Sequence, residues 1–413
     1  MPTNKSEIEK ELLAPANEIS IIKLIDSLIN HAYELRTSDI HIDPVENKVI
    51  IRFRIDGVMH NVFVLPKEIQ SEVITRLKVL SGLRTDEHQI AQDGRFKFIA
   101  KDQKDFDVRI SIIPTYHEEN AVLRLLVEQG QDYNLENLGF SERDLDIVRD
   151  AMAKPYGMIL TTGPTGSGKT TTLYTILKIL NTDETAIITI EDPIEYSLEK
   201  IIQIQVNNQS GLSFANGLRS ILRQDPNIVM VGEIRDEETA KIATNAALTG
   251  HLLLSTLHTN DAATALPRLI DMGVEPFLIV STVNIIIAQR LVRRICPDCK
   301  TEKKYSISAL KTLAHHSLSE SLTSEFLTGD DKTFFVGKGC KNCNNSGYLG
   351  RIPIHEVLEI TDAVREAVVS RLGAHEIKEI AKSEGMSTMI EDGFKKATAG
   401  STTIEEILRA IHE

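Results

Sequence analysis

The sequence predicts an α/β protein of several domains, in which a doubly wound parallel sheet follows a small α+β domain and precedes a cysteine-bearing region and short helices. Three observations carry this expectation. Gly163-Pro164-Thr165-Gly166-Ser167-Gly168-Lys169-Thr170 satisfies G-x-x-x-x-G-K-[ST] between an apolar run, Met158-Ile159-Leu160, and a stretch of helical spacing from Thr171 to Leu180. From Phe140 to about Leu291, buried strand runs alternate with helical patterns. Ahead of Val127, apolar and polar residues alternate as in half-buried strands. A chain of 413 residues is long enough for two or three domains with ample core.

Residues 1–18 are polar and acidic, and are expected to form a tail that is neither signal peptide nor membrane anchor. The α+β domain is expected over residues 19–128. Ile21, Leu24, Ile25, Leu28 and Ile29 mark one face of a helix ending near Tyr33. Val49, Ile51, Phe53 and Ile55 alternate with mostly polar neighbours up to Asp56-Gly57, a hairpin signal. A proline-started helix over residues 66–80 follows. Phe96 and Phe98, then Phe106, Val108, Ile110 and Ile112, form a second ribbon across a turn at 101–104, and residues 121–127 close the sheet. Residues 129–139 read as a polar linker containing Gly130.

The doubly wound domain is expected over residues 140–292, with strands at 158–161, 186–190, 228–231 and 252–256. The apolar stretch 277–291 is interrupted by Asn284, Gln289 and Arg290 and falls short of a membrane span. A tetracysteine subdomain is expected over 293–352, including a Ser/Thr/Lys-rich insertion at 305–332. A helical subdomain over 353–413 contains helices at 376–383 and 403–411.

The loop at residues 163–170, with Thr171 at the head of the helix, is the expected nucleotide-binding stretch. Its glycines let backbone N–H groups curl toward a phosphate, the helix N-terminus adds partial positive charge, Lys169 neutralises the outer phosphates, and the Thr170 hydroxyl can hold magnesium. Glu191, Asp192 and Glu195 follow a buried strand, where carboxylates can reach the same nucleotide, orient water or hold magnesium through water. The alternative is an acidic, solvated turn. Glu233 ends the apolar run 228–231 and is expected to contact magnesium through water. His258 ends the run 252–256, where it can donate to a γ-phosphate or serve as a structural histidine. Arg109 and Arg124 stand within strands, and Arg219 and Arg223 share a helix face. Each requires either an internal carboxylate or a phosphate as partner.

The four cysteines form two C-x-x-C pairs, Cys296/Cys299 and Cys340/Cys343, which supply enough thiolates for a closed tetrahedral zinc. An iron site or free thiols are the alternatives. Four cysteines confined to these pairs fit a reducing compartment, while 42% apolar and 25% charged residues describe an ordinary soluble protein and a net charge of −13 argues against a primary role in holding nucleic acid.

With these pieces placed, the chain resembles the secretion ATPases that drive type II secretion and type IV pilus assembly. The resemblance rests on Ser38-Asp39-Ile40-His41-Ile42, Arg52-Phe53-Arg54-Ile55-Asp56-Gly57, the phosphate loop, Ile190-Glu191-Asp192-Pro193-Ile194-Glu195, Val231-Gly232-Glu233-Ile234-Arg235-Asp236 and Leu257-His258-Thr259-Asn260, in that order. It covers about residues 19–413. It implies a bilobal fold, with a RecA-like P-loop domain after a PAS-like α+β domain, a homohexameric ring, and ATP held between the two domains.

Carried over, Lys169 and Thr170 bind phosphates and Mg2+, Glu195 is the catalytic glutamate, Glu233 the Walker B acid and His258 the γ-phosphate sensor. Arg109, Arg124, Arg219 and Arg223 fall at phosphate-contacting positions, and the cysteines match the Zn2+ motif of assembly and secretion members. Retraction motors generally lack that motif. The implied output is ATP hydrolysis that pushes on an inner-membrane platform protein, with a cytoplasmic docking protein as second partner, at the cytoplasmic face of the inner membrane. No stable nucleic-acid partner is expected. A retraction or DNA-uptake motor of the same family is the alternative. Rivals from other classes are a ring-shaped nucleic-acid motor using Arg52, Arg54 and Arg109, and a non-hydrolysing, nucleotide-gated scaffold. Two departures stand out: residues 1–18 alone precede the shared region where a docking domain is usual, and Glu119-Asn120 stands where the family commonly has Gly-Glu.

Overall fold

The computed structural model describes residues 4–127, 134–306 and 332–412, and the chain divides into two compact units, Met1–Gln131 and Asp132–Glu413. Most of the expected insertion and the first part of the expected linker lie outside the described residues. The first unit is a six-stranded sheet of order β3-β2-β1-β6-β5-β4, with every neighbouring pair antiparallel. Its strands are β1 (Thr37–Val45), β2 (Lys48–Ile55), β3 (Val58–Pro66), β4 (Gln92–Ile99), β5 (Asp105–Thr115) and β6 (Glu118–Leu126). Because side chains alternate across a strand, Ile40, Ile42, Ile51, Phe53, Ile110 and Leu123 share one core with Leu24 and Leu28 of helix α2 (Ile21–Glu34) and Val73 and Leu77 of α3 (Gln70–Leu80). The register aligns Arg54, Asp39, Arg124, Arg109 and Arg95 in one cross-strand row.

Two expectations for this unit need correction. The stretch expected to be a polar tail contains helix α1 (Asn4–Leu12), whose Ile8 is fully buried in the same core. Burying one isoleucine contributes about 1.5–3 kcal/mol, which favours docking a helix far too short to persist alone. Strand β1 was not expected, because only Ile40 and Ile42 mark its apolar face before Pro44.

The second unit is built on a seven-stranded sheet of order β15-β12-β7-β11-β10-β8-β9. Strands β7 (Gly157–Thr162), β8 (Ile187–Glu191), β9 (Ile202–Gln205), β10 (Ile228–Val231), β11 (Leu252–Leu257) and β12 (Val283–Ile295) are parallel, and β15 (Tyr348–Glu359) pairs antiparallel with β12. Successive residues serve opposite faces. Met158, Leu160, Val229, Leu253 and Ile286 join one core with α6 (Phe214–Ile221), α7 (Glu237–Leu248) and α9 (Pro276–Thr282), while Ile159, Met230, Leu254 and Ile285 join another with α4 (Glu142–Ala153) and α5 (Lys169–Leu180). A parallel sheet covered on both faces explains the unbroken apolar runs in the sequence.

The domain boundaries expected at 292/293 and 352/353 cut through β12 and β15. Ile354, Val357 and Leu358 are fully buried in the sheet's two cores, so the strand after the cysteines completes the nucleotide-domain sheet. The expected linker also ends early: Leu135 and Leu138 are buried beside Val148 of α4. Between β12 and β15, a separate hairpin pairs β13 (Lys300–Tyr305) with β14 (Lys332–Gly337). Helices Asp362–Val369, Ala374–Ser383, Met389–Thr398 and Ile404–His412 finish the chain.

Candidate nucleotide site and cysteine cluster

The phosphate loop leaves β7 and enters α5, as the sequence required. Gly163, Gly166 and Gly168 have φ of 141°, 79° and 90°, in a region that side chains rarely adopt. At Gly163 a Cβ would also stand 2.4 Å from the Gln289 carbonyl oxygen. Lys169, the first residue of α5, is buried and donates from Nζ to the carbonyls of Gly163 at 2.8 Å and Pro164 at 3.0 Å. Burial depresses its pKa, while the nearby Glu233 charge works the other way. The Ser167 hydroxyl is buried with no hydrogen-bond partner among the described residues.

Strand order brings the expected functional groups to one edge. β7, β11, β10 and β8 are consecutive neighbours, so the phosphate loop, His258, Glu233 and Glu191 leave the carboxyl ends of four adjacent parallel strands. His258 Nε2 lies 2.9 Å from Glu233 Oε2, and Arg235 Nη2 lies 2.6 Å from Glu233 Oε1. Glu233 is 8% exposed, and its electrostatic coupling to Lys169 links the acid to the phosphate-loop cation.

Across residues 15–409 the sequence matches the family described as Type II/IV secretion system protein. The chain belongs to this family. It is 46% identical over 398 residues to a type II secretion system protein E of Xanthomonas campestris, covering 96% of this chain and 68% of that protein. It is 46% identical over 406 residues to the type IV pilus assembly ATPase PilB of Thermus thermophilus, covering 98% of this chain and 44% of that protein. Among solved structures, the pilus retraction motor PilT with bound ADP superposes with a TM-score of 0.61 at 26% identity, over 94% of this chain and 96% of that one. With its phosphate loop intact, this family member is an ATP hydrolase of the P-loop class.

The remaining expected site residues are distributed unevenly. Glu191 is not presented to the phosphate loop: its carboxylate is buried and receives Tyr174 Oη, Thr189 Oγ1 at 2.5 Å and Gln203 Nε2 at 3.2 Å. Three protein donors occupy it, so its expected place among nucleotide ligands is replaced by a structural one. Asp192 is exposed in the following turn, and Glu195 lies further along that loop, half-buried. Arg219 pairs with Glu238 of α7 at 2.7 Å, and Arg223 donates to the Arg219 carbonyl at 2.9 Å and Ser220 Oγ at 3.1 Å on α6, so both are engaged within this unit. Arg124 Nε donates to Asp39 at 2.9 Å, and Arg54 lies 3.5 Å from the same carboxylate. Arg109 is Arg124's cross-strand neighbour.

The cysteine pairs do converge. Sγ atoms of Cys296 and Cys340 are 3.8 Å apart, those of Cys299 and Cys343 3.8 Å, those of Cys340 and Cys343 3.6 Å, and all four lie within 4.8 Å of one another. A tetrahedron with Zn–S of about 2.3 Å has edges of about 3.8 Å, so the thiols fit zinc closely. Burial opposes ionisation of Cys343, yet the amides of Cys340 and Gly347, 3.2 and 3.3 Å from its sulfur, hold the thiol down at about 6.

Sequence reasoning missed Gln289. It is buried on β12, donates Nε2 to the Ser167 carbonyl at 2.8 Å and accepts from Thr172 Oγ1 at 2.8 Å, bracing the phosphate loop from behind. The available signal was an amide that directly follows the apolar run 285–288.

Proposed function

We propose that this ATP hydrolase is a hexameric motor that powers assembly of a type IV pilus or a type II secretion pseudopilus. It acts at the cytoplasmic face of the inner membrane, through an inner-membrane platform protein and a cytoplasmic docking protein. The observation that carries the catalytic part is the 2.9 Å contact between His258 and Glu233, beside a buried Lys169 at the ends of adjoining strands. The curated relatives named for secretion and for pilus assembly support the mechanical part. No helix of the described residues is long and apolar enough to cross a membrane, so the reading reaches the membrane through partners.

In this reading Lys169 gives up the Gly163 and Pro164 carbonyls for phosphate oxygens, and its burial keeps that attraction poorly screened. Thr170 and Glu233 hold Mg2+, which neutralises charge on the outer phosphates when bound. His258 exchanges its Glu233 contact for the γ-phosphate and so registers whether that group is present. Glu195 orients the attacking water. Zn2+ held by Cys296, Cys299, Cys340 and Cys343 is structural, because four thiolates leave no open position.

Lys169→Ala is expected to abolish tight nucleotide binding, and Glu195→Gln to keep binding while losing turnover. A fluorescent-nucleotide titration beside phosphate release checks both, and light scattering checks for six 46.0 kDa chains. Full hydrolysis by the Glu195 variant would move the catalytic role to another carboxylate. Restoration of surface pili or of protein export in a deletion strain decides between the two outputs.

A further inference from the structure

Tyr174 lies on α5, the helix that begins at the phosphate loop, and is fully buried. Phenylalanine would fill the same space without burying a hydroxyl, so the oxygen must have partners that repay its lost hydration. It has three. The hydroxyl donates to Glu191 Oε2, Gln203 Nε2 stands 3.3 Å away, and the backbone amide of Glu195 hydrogen-bonds to the same oxygen.

Those partners all bear on one segment, the irregular chain between β8 and β9 that carries Glu195. Gln203, on β9, reaches over it: Nε2 lies 3.2 Å from the Tyr196 carbonyl, and Oε1 accepts the Leu198 amide at 2.7 Å. The Tyr196 ring packs edge-on against Tyr174 with centroids 4.7 Å apart, and Lys178, one turn along α5, lies over the Tyr196 ring at 5.3 Å. Glu191 anchors the base of the arrangement, since its backbone carbonyl receives the Val206 amide at 2.9 Å. The phosphate loop and the Glu195 segment start from strands three neighbours apart, about 14 Å at ordinary strand spacing. Tyr174 ties the helix of the first to the backbone of the second near Glu195, while Asn181, at the far end of α5, donates to the Glu199 carbonyl at 2.8 Å.

We infer that Tyr174 is a positioning residue for hydrolysis: through Glu191 and the Glu195 amide it fixes where the Glu195 carboxylate stands relative to the phosphates held at the head of α5. This rests on the reading of Glu195 as the catalytic glutamate. Misplacing a reacting group by about 1 Å can cost on the order of a hundredfold in rate. Tyr174→Phe keeps the ring and its contact with Tyr196 but removes the hydroxyl.

The test compares wild type, Tyr174→Phe, Gln203→Leu and Glu195→Gln in full-length protein, measuring kcat at saturating ATP, nucleotide Kd and melting temperature. Expected are a ten- to hundredfold fall in kcat for Tyr174→Phe with Kd within about twofold, and a similar fall for Gln203→Leu, which loosens the segment from the strand side while leaving the Tyr174 hydroxyl on Glu191. Loss of turnover in Glu195→Gln with kcat retained in both other variants overturns the positioning role alone. Retained turnover in Glu195→Gln overturns the Glu195 reading and this inference with it. A lowered melting temperature with unchanged kcat per folded molecule also rejects the inference, because a merely structural tyrosine behaves that way.

Discussion

Replacing Gln289 by leucine tests how the phosphate loop is held. The side chain is buried on β12, with Nε2 on the Ser167 carbonyl and Oε1 receiving Thr172 Oγ1, both at 2.8 Å. Leucine occupies a similar volume but pairs with neither group. A buried polar group left unpaired costs about 1–3 kcal/mol, and two would cost up to twice that. The Thr172 hydroxyl, however, sits on a helix and can turn to the carbonyl one turn back. Only the Ser167 carbonyl is then stranded, and a destabilisation of about 2 kcal/mol is expected. For a unit of this size that lowers Tm by roughly 4–8 °C.

The same change should weaken nucleotide binding, because a loop no longer braced must be ordered when phosphate enters. A tenfold loss of affinity corresponds to about 1.4 kcal/mol. Thermal melts with and without a non-hydrolysable ATP analogue read both effects, alongside direct titration. A variant that melts within about 1 °C of wild type refutes the brace. One that is destabilised but binds nucleotide as before shows Gln289 to be an ordinary core residue.

Three further outcomes are expected. Purified protein should hold about one zinc per chain, and Cys340→Ser should lower Tm without changing nucleotide affinity, since a closed four-thiolate site contributes to folding and not to chemistry; metal analysis finding no zinc rejects the assignment. Burial, and then the Lys396 charge, holds His355 neutral well below 6.5, so the unfolded chain gains a proton near pH 6.5 that the folded chain refuses. Its contribution is therefore full above pH 6.5 and declines below it; His355→Phe, keeping the ring stacked on Phe140, should flatten the fall in Tm below about pH 6.5 relative to wild type, since the opposing contribution of Asp392, whose pKa burial raises, is present in both proteins. The Arg124 side chain is 56% exposed, so its pair with Asp39 is worth at most about 1 kcal/mol. Arg124→Ala should thus barely move Tm, and the ATPase rate of the same preparation decides the rest: a fall of orders of magnitude supports a role on the nucleotide, and an unchanged rate leaves Arg124 to Asp39.

What could be read from the sequence was what local spacing encodes. Strands β7, β8, β10 and β11 came out within one residue because burial on both faces leaves unbroken apolar runs, whereas the short, exposed β9 and the polar-interrupted β12 were not expected, and the phosphate loop announced itself because its glycines and Lys169 have no substitutes. β1 was missed because its polar face carries more residues than its apolar one. β15 was missed because antiparallel pairing with β12 brings together residues some sixty positions apart, and no local pattern records that. Glu191 was misassigned for a related reason. An acid at a strand end reads as a ligand until its donors, Tyr174 and Gln203, are seen to arrive from other elements.

The same long-range pairing explains why the carboxyl-terminal region belongs to the catalytic unit although none of its residues reads as a nucleotide ligand. The segment that follows His258 is fixed at two places. Thr259 shares a hydrogen bond with Thr162 at 2.7 Å, at the end of the phosphate-loop strand. Farther on, the Ala262 amide donates to Glu356 of β15 at 3.0 Å, and Lys378 of helix Ala374–Ser383 bridges Glu356 at 3.2 Å and Asp261 at 3.3 Å. Burial works against the Lys378 charge, but Glu356 and then Asp261 more than offset it and hold its pKa above the ordinary lysine value. Lys378 and Asp261 are partly exposed but Glu356 is fully buried, so removing Lys378 strands the Glu356 charge, at a cost below the ~3–5 kcal/mol of a fully buried pair. The backbone beneath His258 therefore cannot shift without disturbing β15 and the helix behind it. The segment that follows His258 is thus held by a strand and a helix that lie about a hundred residues downstream.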